Sequence, residues 1–109
     1  MDLMIGTVVA KGTKENVKNM YKDLEEYYDK AILSESGSDE NYEIAFEFFS
    51  RLISFLSYDY FKFYSEEYNC HIIATMLAED MDDDDEPMIL EYKNGEIIQG
   101  LIDYGLVDE

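Results

Sequence analysis

Seven carboxylates occupy the eight positions from Glu79 to Glu86, and only Met81 interrupts them. This acid run must stay at the surface, because burying unpaired charges costs more free energy than a small fold can supply. It separates two apolar segments, CHIIATMLA at 70–78 and PMILEY at 87–92. Both segments are short and contain β-branched residues, so we predict two strands joined by an acidic loop.

The first third of the chain predicts a strand followed by a helix. Residues 3–11 are rich in β-branched side chains, as strands are. Thr13 is a good N-cap for a helix over about 14–33, where apolar residues recur at three- and four-residue spacing. The segment SESGSDEN at 34–41 has the composition of a linker.

For two of the three remaining segments, the sequence leaves the choice between helix and strand open. Helical spacing predicts a second, central helix at about 40–57. The aromatic segment YDYFKFY at 58–64 favours a strand, with extension of that helix as the alternative. A short helix is predicted at about 95–104, and the alternative is a hairpin at Asn94-Gly95 with EIIQG as a fifth strand.

These elements, in the order β-α-α-β-β-β-α, predict a single α+β domain over residues 1–109. We expect a small antiparallel sheet of three to four strands, with two to three helices packed on one face. One cysteine in 109 residues excludes an internal disulfide and fits a reducing compartment. The N-terminal segment does not resemble a signal peptide, so a cytoplasmic protein is expected.

The net charge of −18 is distributed unevenly along the chain. Residues 1–33 hold five lysines and six acidic groups, whereas residues 34–109 hold three basic groups and twenty acidic ones. Such a surface repels nucleic acids and anionic membranes. Its natural partner is cationic, which means either a metal ion or a protein groove that normally holds nucleic acid.

No catalytic motif is found, and we expect neither enzyme activity nor a cofactor. A calcium loop of the EF-hand type starting at Asp80 is a partial match, but its sixth position, which needs Gly, is Asp85, and its eighth, where a short strand should pair, is Pro87. Cys70 and His71 are neighbours in a predicted strand, so their side chains point to opposite faces and cannot form a thiolate–imidazole pair.

Clustered carboxylates can instead imitate the phosphates of DNA. On the predicted second helix, Glu40, Glu43 and Glu47 would form a regular acidic row with neighbours about 5–6 Å apart. Glu66 and Glu67 belong to SEEYN at 65–69, which we predict as the turn between two strands, and they would lie near the acidic loop if those strands pair as expected. The predicted partner-binding residues are therefore these five, together with Glu79, Asp80, Asp82, Asp83, Asp84, Asp85 and Glu86.

The chain resembles phage-encoded DNA-mimic proteins in its small size and in acidic clusters such as EDMDDDDEP and SEEY. Its frequent Lys, Ile and Tyr also resemble the amino-acid usage of low-GC bacteria and their phages. It is most similar to anti-CRISPR inhibitors of type II effector nucleases. The resemblance implies a protein that fills the groove in which the nuclease reads DNA, in the cytoplasm of a bacterial host. The carboxylates from Asp80 to Glu86 would then meet the Arg and Lys that contact DNA.

An acidic interaction or regulatory module without DNA mimicry is the alternative. Such a module would keep its affinity in high salt, whereas a mimic would lose it. A monomer or a weak dimer is compatible with either function, since an exposed strand edge would permit dimerisation.

Overall fold

A computed structural model describes residues 3–25, 29–51, 60–78 and 87–100. Within these ranges, six strands and two helices follow one another in the order β-α-β-β-α-β-β-β. In chain order they are β1 Leu3–Gly12, α1 Lys14–Glu25, β2 Asp29–Gly37, β3 Tyr42–Arg51, α2 Tyr60–Glu67, β4 His71–Ala78, β5 Met88–Lys93 and β6 Glu96–Gln99.

All six strands form one antiparallel sheet in the spatial order β2-β3-β1-β4-β5-β6. The predicted α+β class and the antiparallel pairing are confirmed. The predicted three to four strands are too few, and the predicted element order is wrong. Both errors arise because segments read as helical pair with neighbouring strands.

One face of the sheet carries the hydrophobic core. Alternate side chains of the four central strands are buried against both helices, as the two-residue period of a strand requires. The core includes Val17, Met20 and Leu24 from α1 and Phe61 and Tyr64 from α2. From the strands come Val8, Ala10, Tyr42, Ile44, Phe46, Phe48, Ile72, Ala74, Met76, Met88, Leu90 and Tyr92.

The predicted start of the first helix is confirmed. The Thr13 Oγ1 atom accepts a hydrogen bond of 3.2 Å from the backbone N–H of Asn16, which is the N-cap geometry. The helix ends at Glu25 instead of about residue 33, because the chain forms edge strand β2 from Asp29 onward. Residues 34–37, predicted as part of a linker, belong to that strand.

The predicted helix at about 40–57 is wrong, because β3 occupies Tyr42–Arg51. Its alternate side chains, from Tyr42 through Phe48, face the core, and the strand pairs with β1 on one side and β2 on the other. Residues 52–57 of the prediction lie outside the described part of the chain.

The predictions for 58–64 and 95–104 are also wrong within the described residues. Helix α2 occupies Tyr60–Glu67. Helical spacing lets Phe61 and Tyr64, three residues apart, both reach the core, and the centre of the Phe61 ring lies 5.2 Å from that of Phe48. The hairpin alternative is the correct one for β6. Asn94 and Gly95 have φ angles of 52° and 87°, which suit a tight two-residue turn. Residues 58–59 and 101–104 lie outside the description.

Two tyrosine hydroxyls bind carboxylates and join elements of the fold. The Tyr68 hydroxyl after α2 donates to Oδ2 of Asp23 in α1 at 2.8 Å, and the Tyr42 hydroxyl donates to Oε1 of Glu35. The hydrogen bond to Asp23, with partial burial, raises the pKa of Tyr68 from 10.0 to about 12. Burial, with the bond to Glu35, raises the pKa of Tyr42 from 10.0 to about 12.

These two pKa shifts predict a loss of stability in alkali. The folded state holds both hydroxyl protons more tightly than the unfolded state, so their stabilisation is complete below pH 10 and is lost as the pH rises towards 12. Urea unfolding at several pH values should show this decline. A Tyr42→Phe/Tyr68→Phe double variant should start less stable and decline less, and an equal decline in both proteins would contradict the assignment.

Candidate interaction site

The second face of the sheet points away from both described helices, and we call it the open face. Strand alternation places there the residues between the core positions. Its described side chains on β1, β3, β4 and β5 are Thr7, Val9, Lys11, Glu43, Ala45, Glu47, Phe49, His71, Ile73, Thr75, Ile89, Glu91 and Lys93.

An apolar row crosses the middle of the open face. Val9 of β1 lies directly between Ala45 of β3 and Ile73 of β4, and all three side chains are partly exposed. Ile89 of β5 lies one same-face position along the strands from this row and is 42% exposed, whereas Phe49 of β3 lies two positions away, with polar residues between. Contiguous exposed apolar side chains are the informative exception on a protein surface, since such patches mark contact sites.

A charged row lies beside the apolar row, one pleat further along the strands. It runs from Glu43 through Lys11 and His71 to Lys93. The Nζ atom of Lys11 lies 3.5 Å from Oε1 of Glu43, and Nε2 of His71 lies 2.8 Å from Oε2 of Glu91. These partly exposed pairs each contribute about 0–1 kcal/mol, so they position charges more than they stabilise the fold.

Cys70 and His71 do lie on opposite sides of the sheet. The Cys70 side chain is buried in the core, and this burial raises the pKa of its thiol to about 11. His71 lies on the open face against Glu91. The thiol therefore stays protonated at neutral pH and out of contact with the imidazole, and the two side chains do not form a nucleophile–base pair.

Two of the predicted partner-binding residues, Glu43 and Glu47, share the open face. They are four residues apart on a strand, which separates them by about 13 Å along β3. This is more than twice the spacing of about 5–6 Å in the predicted helical row. Glu43 also has Lys11 as a partner, which offsets its charge. The predicted regular row of Glu40, Glu43 and Glu47 is therefore wrong.

Glu40 lies away from that face, in the turn between β2 and β3. It borders an open cleft of about 530 Å³ together with Thr13, Lys14, Glu15, Lys18 and Asp39. The backbone N–H of Lys14 donates to the carbonyl oxygen of Asp39 at 2.9 Å, which holds the turn against the start of α1. With two lysines on the same cleft, Glu40 belongs to a surface of mixed charge.

Glu66 and Glu67 lie on α2, on the side of the sheet opposite the open face. Their predicted place in a strand turn is wrong. The Glu66 side chain lies against the β5–β6 turn, where a Cβ added to Gly95 would come within 2.9 Å of its Cβ. The five described candidates are thus spread over two faces and one turn, and they do not form a single acidic track.

The acid run at Glu79–Glu86 lies outside the described residues, between β4 and β5 in the sequence. Its two flanking strands are confirmed as antiparallel neighbours. The described ranges hold all eight Lys and Arg residues but only thirteen of the twenty-six acidic ones, a net charge of −5. The remaining residues, 1–2, 26–28, 52–59, 79–86 and 101–109, therefore carry −13 with no basic residue among them.

Within the described ranges, no group of three or more His, Cys, Asp or Glu side chains could hold a metal ion. Neither helix described here is long and apolar enough to cross a membrane. A comparison with protein-family models, curated proteins and solved structures finds no match for this chain.

Sequence reasoning missed the apolar row, although a signal for it was present. A strand with one solvated face should alternate between apolar and polar residues. The segments Val8-Val9-Ala10 and Ile72-Ile73-Ala74 are instead continuously apolar. Two adjacent strands with apolar residues on both faces indicate that the second face of the sheet also carries an apolar contact area.

Proposed function

We propose that this protein is a non-enzymatic inhibitor that mimics nucleic acid and occupies the DNA-binding cleft of a nuclease, in an anti-CRISPR or other anti-defence role. The observation that carries the proposal is the segregation of charge. No Lys or Arg occurs between Lys62 and Lys93, and the seven carboxylates of the acid run lie within this stretch of the sequence. A cationic cleft can therefore meet those carboxylates without meeting like charge.

The amount of charge supports the same function. B-DNA presents one negative charge per roughly 1.7 Å of axis, so eighteen charges correspond to about 30 Å of duplex. The longest dimension of the fold is 39 Å. A surplus of eighteen negative charges on a body of that length is comparable in charge density to the duplex that a nuclease cleft accommodates.

The inhibitor would act by occupancy alone. Arg and Lys side chains that contact phosphates and base edges would pair with carboxylates of the acid run, and DNA would be excluded from the cleft. Long-range attraction would make association fast. The strands that precede and follow the run in the sequence, β4 and β5, are paired with each other, with Met76 opposite Met88. A CRISPR effector nuclease in a bacterial host cytoplasm is the target that we propose first.

The open face favours a second candidate function. Its apolar row would suit an acidic interaction or regulatory module that binds a partner through hydrophobic contact instead of mimicry. The two functions differ in how affinity responds to salt, because burial of apolar surface is not screened by ions.

The test is the dissociation constant for a type II effector nuclease, measured at about 50 mM and about 200 mM salt, with duplex DNA as competitor. A mimic that replaces six or more phosphate contacts should lose about a thousandfold in affinity over this range. It should also be displaced by duplex DNA. Affinity that changes less than about threefold and is indifferent to DNA would reject mimicry and leave the second function.

A further inference from the structure

The open face carries only a small part of the net charge of the chain. Its charged side chains that the structure describes are four glutamates (Glu43, Glu47, Glu91 and Glu96), two lysines (Lys11 and Lys93) and one histidine (His71). With the histidine neutral these seven groups carry −2, while the chain as a whole carries −18. It is therefore a region of the surface where another copy of this acidic protein meets little repulsion.

We propose that the open face is the interface of a weak homodimer, in which a second copy packs its own open face against the first. The two sheets would stack in the aligned manner, about 10 Å apart. The two-fold axis would run parallel to the strands, above the line between β1 and β4. This places β1 of one copy opposite β4 of the other, and β3 opposite β5.

Side chains on the face are self-complementary in this arrangement. Val9 faces Ile73 of the second copy, so these two positions of the apolar rows cover each other at the centre, and Ala45 at the end of each row faces Glu91 of the other copy. Glu43 faces Lys93 of the second copy, and the two-fold axis repeats this ion pair. Lys11 faces the His71–Glu91 pair of the second copy, whose net charge is zero or negative. The opposite two-fold, perpendicular to the strands, would place Glu43 against Glu47 and is disfavoured.

The dimensions predict a weak dimer. Six strands spaced about 4.8 Å apart span about 24 Å, and five residues along each strand span about 17 Å. Two such faces bury roughly 800 Å² in total, which is below the range of stable complexes. Each copy also brings its full net charge to the encounter. Salt should therefore strengthen the dimer by screening that repulsion, whereas it weakens the proposed binding to a nuclease.

The experiment is sedimentation equilibrium of the full chain, up to about 1 mM protein, at about 50 mM and about 500 mM salt. The expected result is a reversible monomer–dimer equilibrium whose dissociation constant falls at least threefold in the higher salt. Sedimentation as a monomer at every concentration in both salts would overturn the proposal. A dissociation constant that rises with salt would also overturn the proposal, because it would indicate that the two copies are held together by charge alone.

Substitutions on the face identify the interface. Lys93→Glu and Lys18→Glu, the latter on α1, change the net charge by the same amount. Lys93→Glu should raise the dissociation constant about tenfold. Lys18→Glu should change it by less than twofold more than the added net charge alone does. The double variant Glu43→Lys/Lys93→Glu should restore dimerisation. Equal effects of Lys93→Glu and Lys18→Glu would overturn the proposed face.

A gain of affinity excludes misfolding as the explanation. In this packing Glu47 faces Ile89 of the second copy, which is an unmatched contact. Glu47→Leu should therefore lower the dissociation constant at least tenfold. Glu67→Leu, an equivalent change on the exposed surface of α2, should leave it within threefold. If the two variants dimerise equally, the added leucine promotes association equally well on the open face and on α2, and the proposal fails.

Discussion

Replacing the four aspartates at 82–85 with asparagine is expected to weaken binding to the nuclease that we propose as the target by about a thousandfold. Each carboxylate that meets an Arg or Lys contributes on the order of 1 kcal/mol, and about 1.4 kcal/mol corresponds to a tenfold change. Asparagine keeps the size of the side chain and removes only its charge. The dissociation constant at about 50 mM salt, together with nuclease inhibition, measures the effect.

The matched control removes four charges from the described surface. Glu15→Gln, Glu35→Gln, Asp39→Asn and Glu96→Gln, none of them among the predicted partner-binding residues, bring the net charge from −18 to −14, as the first variant does. All four are exposed and lie away from the acid run in sequence. We expect less than a tenfold loss of affinity from this control. Equal losses in the two variants would assign binding to total charge, and intact inhibition without the aspartates would exclude the acid run from the function.

Phe46→Ala is expected to destabilise the fold by about 3–5 kcal/mol, and Phe49→Ala by less than about 1.5 kcal/mol. The Phe46 ring is completely buried and lies 5.0 Å from that of Tyr21 in an edge-to-face contact. Phe49 lies on the open face and is only partly buried. The free energies of unfolding in urea measure both effects.

This pair of variants distinguishes a strand from a helix over 42–51. On a helix, residues three apart lie on the same face, so both phenylalanines would be buried and both truncations would be costly. On β3 they lie on opposite faces of the sheet. Similar losses of stability in the two variants would contradict the strand.

The strands at 3–11, 70–78 and 87–92 could be predicted because each is apolar, short and bounded by polar or turn-forming residues. The segment from Tyr42 to Arg51 could not be decided in the same way. Its residues 42 and 46 lie on one face in a strand and also in a helix, and so do Glu43 and Glu47, because a spacing of four satisfies both periods. Only the partners decide, and β1 and β2 supply backbone hydrogen bonds on both sides of it.

The candidate site depended on the same ambiguity. A spacing of four predicts that Glu43 and Glu47 share a face, which is correct in either structure. The spacing of three that would add Glu40 exists only in a helix, so Glu40 lies elsewhere. Glu66 and Glu67 were placed by assuming a strand turn, and the burial of Phe61 and Tyr64 together makes that segment a helix instead.

The sequence by itself determined the surplus of negative charge and an α+β fold with an antiparallel sheet. These properties follow from composition and from local patterns that do not depend on distant partners. Only the tertiary structure decided which ambiguous segments became strands, and with them the open face and its apolar row. The physical reason is that strand pairing joins residues far apart in the chain, so the face that a side chain occupies depends on neighbours that its own segment does not contain.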